Sequence, residues 1–220
     1  MNYIAIIGDI KHSKDISNRY EIQEKLKGVL DYINEKYKKD IAAKFLITLG
    51  DEFQGLLSAA EPLVDIVGYI QNEMFPIRIR IGVGIGEITT EINPGAAIGA
   101  DGPAFYAARK AINGIHDTEK KLKKQAPDIQ IELADNSDID YEQINTILSL
   151  LKVVENGWSE SQRKTIWDML QNGGSQEDCA RRLNTTQSTV ARRLSSGNYM
   201  VYNNSRKLLH EVTKRFDNRK

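Results

Sequence analysis

Leu46-Ile47-Thr48-Leu49-Gly50-Asp51-Glu52-Phe53 is an apolar run broken at its end by a glycine and two acids. A run of this kind reads as a buried strand leaving the core at a tight turn. A second run, Ile4-Ala5-Ile6-Ile7-Gly8-Asp9, has the same form and also ends in a carboxylate. If the two strands are neighbours, Asp9 and Asp51 converge on one rim and repel each other. A divalent cation relieves that repulsion, and hard oxygen donors suit magnesium, which also takes substrate phosphates. The plain alternative is turn chemistry, because Gly-Asp is a common turn signal.

Working outward, the flanking segments alternate strand and helix. Residues 3–9 read as a strand, followed by a polar turn, Lys11-His12-Ser13-Lys14. Over 17–37, Ile22, Leu26, Val29, Leu30 and Ile33 recur at helical spacing. Residues 43–49 and 53–57 form a hairpin around Gly50-Asp51-Glu52. Glu61-Pro62 opens a helix running to about residue 73, with proline in its first turn. Residues 77–85 alternate as a strand, with Arg78 and Arg80 on one face. A third helix is expected over 103–115, a polar connection over 117–126, and a last strand over 129–133. The order β-α-β-β-α-β, then α and β, predicts an α+β, ferredoxin-like sheet with helices on one face.

Residues 134–142 are acidic and polar and read as a linker, so the expected units are 1–134, a linker over 135–142, and a helical module over 143–220. The formal net charge of zero conceals an asymmetry. Residues 151–220 carry 13 Lys and Arg against 7 Asp and Glu, leaving the front of the chain acidic. A basic back half suggests a nucleic-acid partner. Within it, Ser175 caps a helix with Asp178 three residues on. Asn184 suits a left-handed turn, and a second helix starts at Thr186 or Gln187. The spacing Ala180, Asn184, Val190 is that of a DNA-binding helix-turn-helix, with Gln187, Ser188, Thr189, Arg192 and Arg193 facing outward toward double-stranded DNA. The alternative is a helical bundle with a solvated basic face. Residues 199–216 form a last amphipathic helix that either covers the bundle or pairs with a second subunit as a homodimer.

Composition narrows the rest. At 40% hydrophobic and 27% charged residues the chain is an ordinary globular sequence. No apolar stretch approaches the roughly 20 residues that span a bilayer, so no membrane partner is expected. The single cysteine, Cys179, excludes an internal disulfide and fits a reducing cytoplasm. Cys179 reads as a core thiol. His12, His116 and His210 lack zinc-like spacing and read as surface residues. Lys11, Lys14 and Lys44 either meet phosphates or are simply solvated.

Several motifs resemble known families. Gly50-Asp51-Glu52-Phe53 is similar to the last four residues of the GGDEF signature of diguanylate cyclases, with Leu49 in place of the first glycine. Ile81-Gly82-Val83-Gly84-Ile85-Gly86-Glu87-Ile88 resembles a strand of class III nucleotide cyclases, and Ile98-Gly99 followed by Ala107-Ala108-Arg109 resembles their Ile-Gly and Ala-Ala-Arg helix. The arrangement over nearly the whole chain resembles the bacterial SatD family. The cyclase resemblance implies Asp9 and Asp51 as ligands of magnesium or manganese, with Asp51 and Arg109 as catalytic residues. It implies a nucleoside triphosphate or cyclic nucleotide as ligand, held by Gly50 and the turn Ile10, Lys11, His12 and Ser13. Two departures stand against ring closure. Phe105 replaces the asparagine that cyclases carry four residues before the arginine, and Leu49 removes a glycine. The reading on these grounds is a DNA-binding regulator whose palm binds metal and nucleotide. The alternative is a metal-dependent nucleotide cyclase or nucleotidyl transferase with the helical module as an accessory.

Overall fold

A computed structural model describes residues 2–13, 16–122, 126–135 and 141–217. Lys14 and residues 136–140 of the expected linker lie outside the described residues. The front of the chain folds as β1 (Tyr3–Ile10), α1 (Arg19–Lys36), β2 (Ile41–Leu49), β3 (Glu52–Leu57), α2 (Leu63–Met74), β4 (Ile79–Gly86), α3 (Pro103–Leu122) and β5 (Ile129–Leu133). The five strands form one sheet in the order β2-β3-β1-β4-β5. β1 lies between β3 and β4, antiparallel to both, while β5 runs parallel to β4. A parallel neighbour needs a crossover, which α3 supplies.

Strand alternation sorts the core into two layers. Ile4, Ile6, Ile81, Val83 and Ile85 face α1 and α2 and pack with Leu26, Leu30, Ile33, Ile66 and Ile70. Ala5 and Ile7 face the other way and pack with Ala104, Phe105, Ala108 and Ile112 of α3. The expectation of helices on one face is therefore corrected: α3 covers the opposite face. The cause is written in β4, where Gly82 and Gly84 alternate with the isoleucines. A Cβ on Gly84 would lie 2.0 Å from the Ala104 carbonyl oxygen, and one on Gly82 would lie 2.4 Å from that of Ala108. Only a bare backbone lets the helix approach so closely.

α3 also runs to Leu122, well past the expected end near residue 115. Nothing in 116–122 breaks a helix, and Pro127 is the first residue that would. The longer helix carries His116 and Glu119 over the sheet. Both outer strands are covered by an asparagine amide. Asn34 of α1 binds the N–H and C=O of Phe45 on β2, and Asn145 does the same for Ile131 on β5. Such pairing blunts a strand edge that would otherwise recruit another chain.

The back of the chain is helical: α4 (Tyr141–Asn156), α5 (Glu160–Asn172), α6 (Gln176–Arg182), α7 (Gln187–Ser196) and α8 (Tyr199–Thr213), then a 3-10 turn, Lys214–Phe216. Ser159 with Gln162, and Ser175 with Asp178, form reciprocal capping boxes at α5 and α6. Thr186 caps α7. Asn184 between α6 and α7 has φ of +48°, the left-handed turn expected of it. Cys179 is buried, and burial pushes its thiol up to about 11, as suits a core residue.

These helices continue the α1–α2 layer, because Ile144, Leu151, Trp167, Tyr202 and Leu209 share its core. α8 lies against α2, α4 and α7, and so covers the bundle. Gly68 of α2 admits it, since a Cβ there would lie 2.5 Å from the Arg206 guanidinium. Arg206 and His210 of α8 both reach Asp65 of α2, at 2.8 and 3.2 Å. Among the described residues no helix is long and apolar enough to cross a membrane.

Candidate functional site

The two strand ends that carry Asp9 and Asp51 are neighbours. Gly8 of β1 pairs with Phe53 of β3, so Asp9 leaves the sheet beside the hairpin that carries Asp51. Gly50 turns that hairpin with φ of +65°, and its carbonyl accepts a hydrogen bond from Gln23 of α1. Asp9, Ile10, His12, Ser13, Leu49, Asp51, Glu52, Arg80 and His116 together line one open cleft of about 470 Å³. Sequence reading thus placed Asp9 and Asp51 correctly relative to each other.

The charge partners differ from expectation. Asp9 shares the face of Ala5 and Ile7, toward α3, and its register partner on β4 is Arg80. Arg80 donates to Asp9 Oδ1 at 2.7 Å, and His116 Nε2 lies 3.0 Å from Oδ2. Both carboxylate oxygens are engaged. Arg80 is itself buried and pinned from behind by Glu119 at 2.8 Å. Burial opposes its charge, but Asp9 and Glu119 outweigh that and its pKa is raised.

Glu52 follows the same alternation as Gln54 and Leu56 and so points to α3. There Arg109 holds it in a two-pronged pair, at 2.7 and 2.8 Å. The Glu52 hydrogen bonds raise the Arg109 pKa above its ordinary value. Asp51 makes no hydrogen bond or ion pair among the described residues. Among the described residues Asp9, Glu52, Arg80, Arg109 and His116 each have an internal counterpart, and Asp51 does not.

The turn after β1 is partly committed elsewhere. Lys11 N–H donates to the Arg78 carbonyl at 2.8 Å. The Lys11 ammonium is buried between Glu119 and Asp128, and burial lowers its pKa. The Lys11 ammonium is thus engaged by Glu119 and Asp128 and is not among the residues that line the cleft. Ile10 is buried but still borders the cleft, and His12, with φ of +55°, and Ser13 stand on its wall. Lys44 lies on the outer strand β2, away from the residues lining the cleft. Phe105 is buried against the sheet beneath α3 and offers no polar group there.

His116 is the residue that sequence reading missed, taking it for surface. Its signal was the spacing: Arg109 and His116 are two helical turns apart and share a face once α3 is allowed its full length. The expected outward residues of α7 divide as well. Gln187, Ser188 and Arg192 are exposed, and Thr189 is partly so. Arg193 is partly buried and donates to the Thr165 hydroxyl of α5 at 3.3 Å.

Among the described residues no three His, Cys, Asp or Glu side chains form a ready metal cage. Magnesium, however, is characteristically held by one or two carboxylates with phosphate oxygens and water completing its shell. Asp51, on the cleft wall beside Asp9, supplies donors of that kind, so the residues fit the ion in chemistry.

A five-stranded sheet covered by helices on both faces, with a charged cleft at the end of its central strand, defines a mixed α+β protein. The chain belongs to the SatD family, whose sequence profile matches residues 3–213. No functionally curated protein matches it. Among solved structures it is similar to the monomeric guanylyl cyclase domain of the RhoGC fusion protein from the aquatic fungus Blastocladiella emersonii. That match has 21% identity and a TM-score of 0.42, covering 51% of this chain and 74% of that one. The catalytic core of a rhodopsin-guanylyl cyclase with converted specificity, in complex with ATPαS, is similar at 19% identity and TM-score 0.42, over 56% and 82% of the two chains. A bacterial light-regulated adenylyl cyclase is similar at 14% identity and TM-score 0.42, over 59% and 74%.

Proposed function

We propose that the nucleotide-cyclase-like palm binds a nucleoside triphosphate, or a cyclic nucleotide, together with magnesium or manganese at the Asp9–Asp51 cleft. The observation that carries this reading is the meeting, in one cleft, of two carboxylates from separate strands with Arg80, His116 and, beside them, Arg109. Asp9 and Asp51 are the residues that would hold the metal. The ion would neutralise phosphate charge where the carboxylates alone would repel it.

The protein's own part is an exchange of partners. An exposed ion pair contributes about 1 kcal/mol or less, so Arg109 leaves Glu52 at little cost. His116 is half-exposed and leaves Asp9 Oδ2 as readily. Arg80 stays, because breaking a buried pair costs about 3–5 kcal/mol. Arg109 and His116 are then free to meet phosphate oxygens, while Asp9 Oδ2 and Asp51 turn to the cation. Metal and phosphate each release a group that the other needs, so each raises the affinity for the other by the same factor. Calorimetric titration of ATP, GTP, cyclic AMP and cyclic GMP, with and without magnesium, tests this. Absence of heat with all four refutes it.

Turnover is the second reading, favoured by the placing of Arg109 beside Asp9 and by the palm itself. An in-line attack on the triphosphate needs an arginine where charge develops. Phe105 weighs against a cyclase that orients ribose by an amide at that position. Incubation with each triphosphate and manganese, assayed for pyrophosphate, separates binding from turnover.

For the helical module we propose binding to double-stranded DNA, supported by the capped α6–α7 pair and by exposed Gln187, Ser188 and Arg192. Arg181 and Arg182 are held by Asp178 and Asp168, which leaves Arg192 as the principal free cation of that surface among the described residues. On this reading residues 1–134 and 143–220 work as ligand and output modules of a regulator, with homodimers fitting paired half-sites.

A further inference from the structure

The Asp9 end of the cleft is joined to the helical module by an unbroken line of ion pairs. Asp9 holds Arg80, Arg80 holds Glu119, Glu119 holds Lys11, Lys11 holds Asp128, and Asp128 holds Lys152 of α4. The signs alternate throughout, and every interior member is gripped from both sides. The six side chains come from β1, the turn after it, β4, α3, the segment before β5, and α4, so no local sequence pattern assembles them. All are largely buried, Asp128 almost completely. A side branch runs from Asp128 to Arg78, which donates to Asn156 at the end of α4 at 2.9 Å.

Stability does not account for this arrangement. A buried ion pair is commonly no better than apolar residues of the same volume, and the apolar layers beside it are already continuous. A line of mutually polarising buried charges has another property: altering one end changes the balance at every link. At one end lies a carboxylate open to ligand. At the other lies a lysine whose neighbours Leu151, Val154 and Glu155 seat α4 against the helices that follow.

We propose that this line couples the Asp9 cleft to α4, so that whatever takes up the Asp9 carboxylate loosens Arg80 and Glu119 and alters the hold of Asp128 on Lys152. The coupling is a property of the unliganded chain. Its use as a signal rests on the nucleotide reading.

A double-mutant cycle in the full-length chain tests the coupling without any ligand. Asp9 and Lys152 share no partner, and distant independent sites give unfolding constants whose effects multiply to within about twofold. Equilibrium urea unfolding of Asp9→Asn, Lys152→Met and the double variant should show the double effect at least fivefold smaller than the product of the singles. A control cycle of Asp9→Asn with Arg192→Ala, off the line, should multiply normally. Agreement of the Asp9–Lys152 product within twofold overturns the proposal. Should Lys152→Met fail to fold, Lys152→Arg takes its place, and hydrogen exchange of Asp9→Asn gives a second readout. Amides of α4 should exchange several times faster than in wild type while those of α1 do not, and unchanged α4 exchange overturns the proposal. Exchange of wild type with magnesium and GTP, or magnesium and ATP, run beside calorimetry, then tests the signal. Binding without a change in α4 refutes the signal, whereas no binding refutes the nucleotide reading and leaves the cycle to decide the coupling.

Discussion

Arg80 and Asp9 are direct partners in the β1–β4 register, and their side chains meet at 2.7 Å on the α3 face of the sheet. The same arginine is held from behind by Glu119. Asp9 is therefore presented to the cleft by a buried guanidinium that neutralises it before any ligand arrives, and Asp51 opposite has no ion-pair partner among the described residues. The two aspartates consequently have unequal roles.

Asp51→Asn should leave the unliganded chain within about 0.5 kcal/mol of wild type, because the side chain is at a partly exposed turn and has no partner among the described residues. It should abolish the stabilisation by magnesium with nucleoside triphosphate, which in wild type amounts to about 2.7 kcal/mol at a hundredfold excess over Kd. Thermal unfolding with and without the pair of ligands checks both parts.

Arg80→Met should destabilise the chain by about 3–5 kcal/mol by leaving Asp9 and Glu119 without their shared cation. Arg109→Met should cost less than about 1 kcal/mol, since its pair with Glu52 is half-exposed. Urea unfolding of the two variants tests that order, and equal losses would contradict it.

Gly84→Ala should cost about 2 kcal/mol or more, because the new methyl meets the backbone of α3, which cannot yield as a side chain can. Displacing α3 also displaces Arg109 and His116, so ligand stabilisation should fall in the same variant. Wild-type stability with full ligand response would refute the close approach of helix and strand.

Burial pulls the Lys152 ammonium down to about 7, with Arg78, Lys11 and Arg163 adding repulsion and Glu155 opposing them. Asp128, which the Lys152 ammonium meets, is shared with Lys11 and Arg78. Between about pH 7 and 10.5 the unfolded chain then binds more protons than the folded one, so this group makes stability rise with pH across that window. Below about pH 7 its full penalty is present. Lys152→Met should flatten the rise, as read from urea midpoints at about pH 6 and about pH 9.

Arg192→Ala in the full chain should weaken duplex DNA binding and lower the slope of its salt dependence by about one. Arg193→Ala should change binding less, because that guanidinium faces Thr165. Equal effects of the two, or duplex binding with no salt dependence, would count against the helix-turn-helix reading.

Much of the chain is legible without a structure where short-range rules act alone. The capping residues Ser159, Ser175 and Thr186 and the left-handed Asn184 each depend on neighbours within four residues. The hairpin at Gly50 and the alternation through Ile81, Val83 and Ile85 are equally local. The strand order was reachable too, because a hairpin and a split β-α-β pattern leave few ways to place β1. Hence Asp9 and Asp51 could be set on one rim from sequence. The end of α3 was missed because polar residues after Ile115 resemble a loop until one asks what would stop the helix.

What only tertiary structure decided is which charge meets which. Arg80 opposes Asp9 because of a cross-strand register spanning seventy residues, and Arg109 meets Glu52 because the glycines of β4 set the depth and rotation of α3. Lys11 and Lys152 converge on Asp128 because α4 packs beside β5. A side chain's type states what it can pair with, and its local spacing states which face it takes. Coulomb attraction and desolvation act at a few ångströms between segments far apart in sequence, and those distances exist only once the sheet and helices have packed.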